Sequence, residues 1–305
     1  MDEVVVSVVC VTFNQAGTIR EALDGFVAQR APFRFEVLVH DDASTDGTAD
    51  IVRDYERRFP ELVRGVYQTE NQFSKGVFIP REFLWPLLRG RYVALCEGDD
   101  CWTDPRKLEK QVAALEARPG VDICAHRALK LTGGKPHGYV APRLRDTVIP
   151  AGKVILGGGN LVATASLLCR TEVYTRWTPL REAYPNDYSL QIQGSLRGGM
   201  LYLHDCMSVY RTDTPGSWTQ RHGRLMDDAT RRREAELLDA ADAFTQGRYH
   251  RVVKLRKRQS ASNALLAARR YGAMLAPREL GITLLRLSRD GSRTFRQLIL
   301  SLTER

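Results

Sequence analysis

The sequence contains no apolar stretch approaching the roughly 18 residues that a membrane-spanning helix needs, which argues against an integral helical membrane protein. Paired Cys-x-x-Cys spacing is missing as well. The six cysteines, Cys10, Cys96, Cys101, Cys124, Cys169 and Cys206, lie mostly in or beside apolar runs, so they read as reduced core residues rather than a zinc site or a disulfide framework. The six histidines, His40 included, show no metal-binding spacing. Internal repeats and low-complexity tracts are absent. Met1-Asp2-Glu3 is acidic where a secretory leader would be basic, and it runs directly into the β-branched stretch from Val4, so the expected location is the cytoplasm.

The first 218 residues carry almost no net charge, −1, whereas residues 219–305 carry +10 of the total +9. A near-neutral body is thus joined to a cationic tail. In the tail, leucine stripes at Leu237, Leu238 and Ala241, at Leu265 and Leu266, at Leu280, Leu284, Leu285 and Leu287, and at Phe295, Leu298, Ile299 and Leu302 alternate with arginines such as Arg269 and Arg270. Three fates fit that pattern: an anionic membrane surface on the inner face, a homodimer interface, or packing on the body.

Apolar runs over residues 4–13, 35–40, 63–67 and 92–96 alternate with helical spacing at Ile19, Ala22, Leu23, Phe26 and at Ile51, Val52, Tyr55, and a helix is expected near Pro80 to Leu88. This rhythm predicts a parallel α/β sheet. Past residue 120 the runs shorten, as at Val121–Cys124 and Leu161–Cys169, which predicts a mixed sheet with long loops.

Glu97-Gly98-Asp99-Asp100-Cys101-Trp102 is the most informative stretch. It sets three carboxylates where the run Tyr92–Cys96 ends, the edge of an α/β sheet at which ligands bind, and clustered carboxylates there suit a divalent cation holding a diphosphate. Capping of the helix after Pro105 is the rival role for Asp99 and Asp100. Further acids stand at Asp42 after the second run and at Asp187 in Tyr184-Pro185-Asn186-Asp187-Tyr188.

The segments Val6–Asn14, Val39–Thr48 and Glu97–Pro105, with Asn186-Asp187 and Tyr210-Arg211, resemble family 2 inverting glycosyltransferases of bacteria, over roughly residues 4–220. The resemblance implies the GT-A fold, a Rossmann-like nucleotide-diphospho-sugar transferase architecture with a mostly parallel central sheet, a mixed-sheet acceptor half and a helical C-terminal extension. It divides the chain into a nucleotide-sugar-binding half (1–120), an acceptor-binding and catalytic half of the same domain (121–222) and a basic extension (223–305). It also implies metal-dependent transfer of a sugar from a nucleotide-diphosphate donor, a UDP-sugar first and thymidine next, to a hydroxyl of a glycan, a lipid-linked or a small-molecule acceptor.

Carried over residue by residue, the resemblance makes Asp187 the catalytic base, Asp99 and then Asp100 the ligands of Mn²⁺ or Mg²⁺, and Val11, Thr12, Asn14, Asp42, Lys75, Glu97, Gly98, Asp99 and Arg211 the donor-nucleotide site. Asp42 would accept a ring N–H of the base, since a carboxylate only accepts. Glu97 stands where the family usually has aspartate, and Asp213 where many relatives have histidine. Several residues carry a second reading: Asp187 as a helix cap, Arg211 as an ion pair with Asp187 or Asp205, Asp41 with Ser44, Thr45 and Asp46 as turn residues, and Trp102 and Trp218 as core or as a sugar-stacking face. Two other functions compete. A sugar-phosphate nucleotidyltransferase would favour a glycine-rich loop where Asn14-Gln15-Ala16-Gly17 stands, and a polyanion-binding or membrane-surface protein leaves the strand-end acids unexplained. No nucleic-acid partner is expected.

Overall fold

The structure, a computed structural model, describes residues 3–214 and 228–271. The β-branched runs form strands β1 (Val4–Thr12), β2 (Arg34–Asp41), β3 (Val63–Tyr67) and β4 (Tyr92–Leu95), all parallel, in the order β3-β2-β1-β4. Helices α1 (Ile19–Val27) and α2 (Thr48–Arg58) supply the crossovers. Because both faces of this sheet are covered, β1 and β2 read as nearly continuous apolar runs rather than alternating ones. Val6, Val8 and Cys10 face one core with Leu23, Phe26 and Tyr55; Val9, Leu38 and Leu95 face another with Leu84 and Leu167.

The sheet continues without a break through β9 (Leu168–Arg170), β6 (Ile123–Thr132), β10 (Met200–Arg211) and β5 (Cys101–Trp102). Here β9 runs antiparallel to β4 and β6, and β5 antiparallel to β10, while β6 and β10 are parallel; β7 (Lys135–Val140) and β8 (Thr147–Ile149) pair antiparallel with β6 and β10. The mixed second half expected from the shorter runs is present, and it shares one sheet with the first half. Two details differ from the sequence reading. The stretch near Pro80–Leu88 is a π-helical turn, Pro80–Leu84, followed by a 3₁₀ turn, Trp85–Leu87, because Pro86 has no N–H to continue an α-helix. Within Leu161–Cys169 the chain makes 3₁₀ turns at Gly159–Leu161 and Thr164–Ser166, and only its end is a strand.

Helix α3 (Lys107–Glu116) buries a lysine. Lys107 Nζ donates to Gln111 Oε1 (2.7 Å) and sits 4.0 Å from the centre of the Trp102 ring. Trp102 is therefore core: it packs edge-on against Phe26 and donates its indole N–H to the Ala165 carbonyl (2.9 Å). Cys206 is exposed, unlike the other five cysteines.

Helices α4 (Ala151–Gly157), α6 (Pro179–Ala183) and α7 (Asp187–Ser195) lie under two C-terminal helices, Asp228–Phe244 and His250–Tyr271, while α5 (Thr171–Tyr174) packs against β9 and α7. Leu237, Leu238, Ala241 and Val253 are buried against Ile155, Leu180, Tyr188 and Ile192. Of the three fates open to the leucine stripes, the first stripe takes packing on the body. The apolar positions from Leu265 onward, with Arg269 and Arg270, lie outside the described side chains. Among the described residues no helix is long and apolar enough to cross a membrane.

Burial lowers the Lys107 ammonium from its ordinary value to about 7. Between there and the unfolded lysine value near 10.4, the unfolded chain binds a proton that the native chain does not, so this residue's unfavourable contribution shrinks as pH rises. Lys107→Met should be more stable than the parent, and its advantage should be largest at or below pH 7 and decline toward pH 10, by at most about 1.4 kcal/mol per pH unit. Urea unfolding of both proteins across that range measures it; a pH-independent difference would show that Lys107 stays charged.

Candidate active site

The carboxyl ends of β1, β2 and β4 bring their loops together. Asp42 N donates to Thr12 O (3.0 Å), and Gly98 N to Val11 O (3.2 Å), which ties the acidic turn 97–100 to the end of β1. Gly98 is required there: a Cβ would lie 2.5 Å from Gln15 Oε1 and 2.6 Å from Thr12 Oγ1, two atoms already hydrogen-bonded to each other (2.8 Å).

The Asp42 carboxylate accepts the backbone N–H groups of Gln72 (2.8 Å) and Phe73 (3.0 Å), so it fastens the loop 71–75 over the β1–β2 edge. Phe73 exposes its ring on that loop. Lys75 pairs with Glu70 on the exposed face of the same turn. Asn14, in the left-handed region at φ 51°, accepts Thr45 N–H on its side chain (2.8 Å) and donates its own N–H to Ser44 Oγ (2.9 Å). Asp41 accepts Ser44 N–H (3.0 Å), while Asp46 accepts Ala16 and Thr48 N–H groups (2.9 and 3.0 Å), in agreement with turn roles.

Asp99 and Asp100 are buried and do not cap α3, whose N-cap is Arg106. Asp100 Oδ1 accepts Arg211 N–H (2.8 Å), and its Oδ2 is buried without a partner. The Arg211 guanidinium donates to Asp99 O (2.8 Å) and to Glu21 Oε2 (2.5 Å), so its ion pair is with Glu21; Asp205 pairs with Lys110 instead. Asp213, at the position where relatives carry histidine, accepts Gly133 N–H. Trp218 lies outside the described residues.

Asp187 arrives from the far half of the sheet. Its helix α7 is capped by Asn186, not by Asp187: Asn186 Oδ1 accepts Ser189 N–H (2.9 Å), and Ser189 Oγ accepts Asn186 N–H (3.2 Å), a reciprocal capping box. The Asp187 carboxylate is thereby left to other partners. Thr164 Oγ1 donates to its Oδ2 (3.1 Å), and Gln191 Nε2 approaches the same oxygen (3.4 Å).

Arg181 was not legible as a site residue. Fully buried, it donates from Nη1 to the Asn186 carbonyl (3.0 Å), and its guanidinium lies 5.1 Å from the Phe78 ring and 6.0 Å from that of Tyr174. Burial pulls its pKa below the ordinary guanidinium value, while its charge acts on Asp187. Nothing in the sequence pattern sets it apart from the chain's other arginines.

These acids share one environment. Glu97 is open to solvent yet crowded by protein, and desolvation, then the charges of Asp99 and Asp187, push it up to about 8. Desolvation raises Asp99 and Asp187 as well, and raises Asp100 well above the usual carboxylate range, with Asp99 adding to it. A sheet edge with crowded carboxylates and an orphaned buried oxygen fits a divalent cation that a ligand's oxygens help to hold. Mg²⁺ or Mn²⁺ shared with a diphosphate needs only one or two protein carboxylates. Among the described residues no three acidic, histidine or cysteine side chains converge to hold an ion unaided.

Residues 7–141 match the family described as Glycosyl transferase family 2. The chain is 38% identical over 217 residues to Rv1520 of Mycobacterium tuberculosis, which covers 70% of this chain and 60% of that protein. It is 35% identical over 113 residues to the putative teichuronic acid biosynthesis glycosyltransferase TuaG of Bacillus subtilis, 37% of this chain and 42% of that one. Among solved structures, S. aureus TarS 1–349 in complex with UDP-GlcNAc superposes with a TM-score of 0.58 at 16% identity, over 93% of this chain and 79% of that one. Mannosyltransferase PcManGT from Pyrobaculum calidifontis, in complex with GDP-Man and Mn²⁺, superposes with 0.56 at 19% identity, over 96% and 82%. The likeness bears out the GT-A fold.

The assignment of the cap to Asn186 separates two neighbours that are otherwise hard to tell apart. Asn186→Ala should lose about 1 kcal/mol of stability, whereas Asp187→Asn, which relieves a desolvated charge, should unfold at a temperature at least as high as the parent's. Thermal unfolding followed by circular dichroism checks both; a larger loss at Asp187 than at Asn186 would return the cap to Asp187.

Proposed function

Because residues 7–141 of this chain belong to glycosyl transferase family 2, we propose that the protein moves a sugar from a nucleoside diphosphate, a UDP-sugar first, to an acceptor hydroxyl with inversion at the anomeric carbon. The observation that supports this reading is the acidic turn 97–100, with Asp99 and Asp100 buried and Gly98 N–H tied to Val11 O at the carboxyl end of β1, and with the Asp187 charge acting on Glu97 although some ninety residues separate them in the chain. The UDP-GlcNAc bound by TarS, which shares the fold, supports a nucleotide-sugar donor.

In this reading the base lies at the ends of β1 and β2, beside Val11, Thr12 and Asp42. Asp42 already holds two backbone N–H groups, so it accepts a ring N–H through remaining lone pairs, and Phe73 offers its ring on the same loop. Asn14 and Lys75 act at one remove, by shaping the loops. Asp99, backed by Asp100, would hold the divalent cation, which when bound offsets the charge on the diphosphate. Arg211 fixes the turn through the Asp99 carbonyl and adds positive charge behind it.

Thr164 and Gln191 hold Asp187 Oδ2, so Oδ1 is the oxygen we assign to the acceptor. As the acceptor O–H proton passes to Asp187, the oxygen forms a bond to the anomeric carbon from the face opposite the diphosphate. The bond from that carbon to the diphosphate oxygen breaks, and its electron pair leaves with the nucleoside diphosphate. A carboxylate with a raised pKa is a stronger base for this transfer, provided it is ionised.

Nucleoside diphosphate release from a panel of nucleotide sugars, with a range of hydroxyl acceptors and Mn²⁺ or Mg²⁺, tests the reading. We expect Asp187→Asn to bind donor as the parent does and to transfer sugar at least ~100-fold more slowly, with an inverted product anomer. Excess chelator and Asp99→Ala should each abolish turnover. A retained anomer would reject the mechanism, and full activity in chelator the metal.

The same reading leaves the outer face of the C-terminal helices, where Arg233, Arg251, Lys254 and Leu255 are exposed, as the surface for an anionic membrane. Sedimentation with acidic liposomes should occur at low salt and weaken steeply toward physiological salt. No pelleting at low salt would exclude it.

A further inference from the structure

Among the described residues of the basic extension, the ion pair most withdrawn from solvent joins Arg256 and Glu234. Arg256, on the helix His250–Tyr271, donates from Nε (2.9 Å) and Nη2 (2.6 Å) to Oε1 of Glu234 on the helix Asp228–Phe244, and Ser260 Oγ donates to Glu234 Oε2 (3.0 Å). The two side chains are only 15% and 5% exposed. Holding two helices together does not call for such a pair, since well-packed apolar side chains of similar volume do as well or better. Its position gives another reason.

The guanidinium lies against Gly158. A Cβ on Gly158 would fall 2.3 Å from Arg256 Nη2, and Gly158 adopts φ 73°, ψ −177°, a conformation essentially restricted to glycine. The next residue touches the candidate base: a Cβ on Gly159 would lie 3.3 Å from Tyr188 Cβ and 4.0 Å from Asp187 Oδ1. The Gly159 carbonyl accepts Gln191 Nε2 (3.1 Å), the same amide that approaches Asp187 Oδ2. Tyr188, adjacent to Asp187, donates its hydroxyl to Ile155 O (2.5 Å) at the end of α4, and its phenol lies in the field of Arg256 and Glu234. One continuous set of contacts therefore runs from Glu234 through Arg256 and the Gly158–Gly159 turn to Gln191 and Asp187.

We propose that Arg256, held by Glu234, is a positioning residue that sets the Gly158–Gly159 turn and through it the Asp187 carboxylate, so that the C-terminal helix pair is a working part of the active site. The proposal rests on Asp187 being the base. It gives Gly158 and Gly159 a reason: the turn passes between a guanidinium on one side and α7 on the other, with no side chain of its own.

Arg256→Met, Arg256→Lys and Glu234→Gln should be compared with the parent under saturating donor and acceptor. We expect Arg256→Met to lower kcat at least tenfold while donor KM and nucleoside diphosphate affinity stay within twofold, and Arg256→Lys to recover part of the loss. In an Asp187→Asn background, Arg256→Met should cost less than twofold, because it acts through a group no longer able to take the proton. Parent-like kcat in Arg256→Met, or the same loss in both backgrounds, overturns the proposal.

Hydrogen–deuterium exchange separates its failure from failure of the transfer reading, since it needs no turnover. Arg256→Met should speed exchange of amides in residues 157–164 and 187–192 at least tenfold and leave β1 to β4 unchanged. Unchanged exchange in those two segments overturns the proposal even if sugar transfer is established, and selective loosening there supports it even if no panel donor turns over.

Discussion

The burial of carboxylates at one edge of the sheet is the constraint around which the neighbouring elements are arranged. Glu97, Asp99, Asp100 and Asp187 are brought to that edge, where poor solvation raises all four and the charge of Asp99 raises Glu97 and Asp100 further. Such a cluster does not hold itself. It stays in place because neighbouring elements fix the backbone beneath it: Gly98 fits against Thr12 and Gln15, and Arg211 binds Asp100 through its N–H and the Asp99 carbonyl through its guanidinium. In the proposed reading, a cation shared with a diphosphate would offset part of the charge gathered there.

Asp187, the proposed base, is held by a different set of contacts. Asn186 takes over the helix cap, Arg181 fixes the Asn186 carbonyl among aromatic rings, and Thr164 with Gln191 fixes one carboxylate oxygen. Each contact removes a competing role from Asp187, which is how a carboxylate at a helix start is kept available instead of being used as a cap. Phe78, against which the Arg181 guanidinium lies, follows the loop that Asp42 fastens and packs against Trp177.

The extension changes in meaning once its packing is known. Its composition suggests a cationic tail, yet Leu237, Leu238, Ala241 and Val253 close over α4, α6 and α7, and the buried Arg256–Glu234 pair abuts the glycine turn. Charge counting places the arginines but does not distinguish Arg256 from those at the surface, because burial is a property of the partner surface and not of the helix that carries the residue.

The sequence by itself determined the strands, helices and acidic turns, because hydrophobic periodicity and turn chemistry act over a few neighbouring residues. The first four strands, α1, α2, α7 and the acids at Asp42, Glu97, Asp99, Asp100 and Asp187 were all legible in that way. The tertiary structure alone decided which of these groups meet and which are occupied elsewhere. Asp42 fastens a loop, Asn14 and Lys75 serve turns, Arg211 pairs with Glu21, and Trp102 covers a buried lysine. It also decided that Asn186 caps while Asp187 does not, that Arg181 holds the Asn186 carbonyl, and that Arg256 abuts Gly158. These outcomes depend on contacts between residues far apart in the chain, whose distance, burial and competition for hydrogen bonds exist only after the sheet has closed around them.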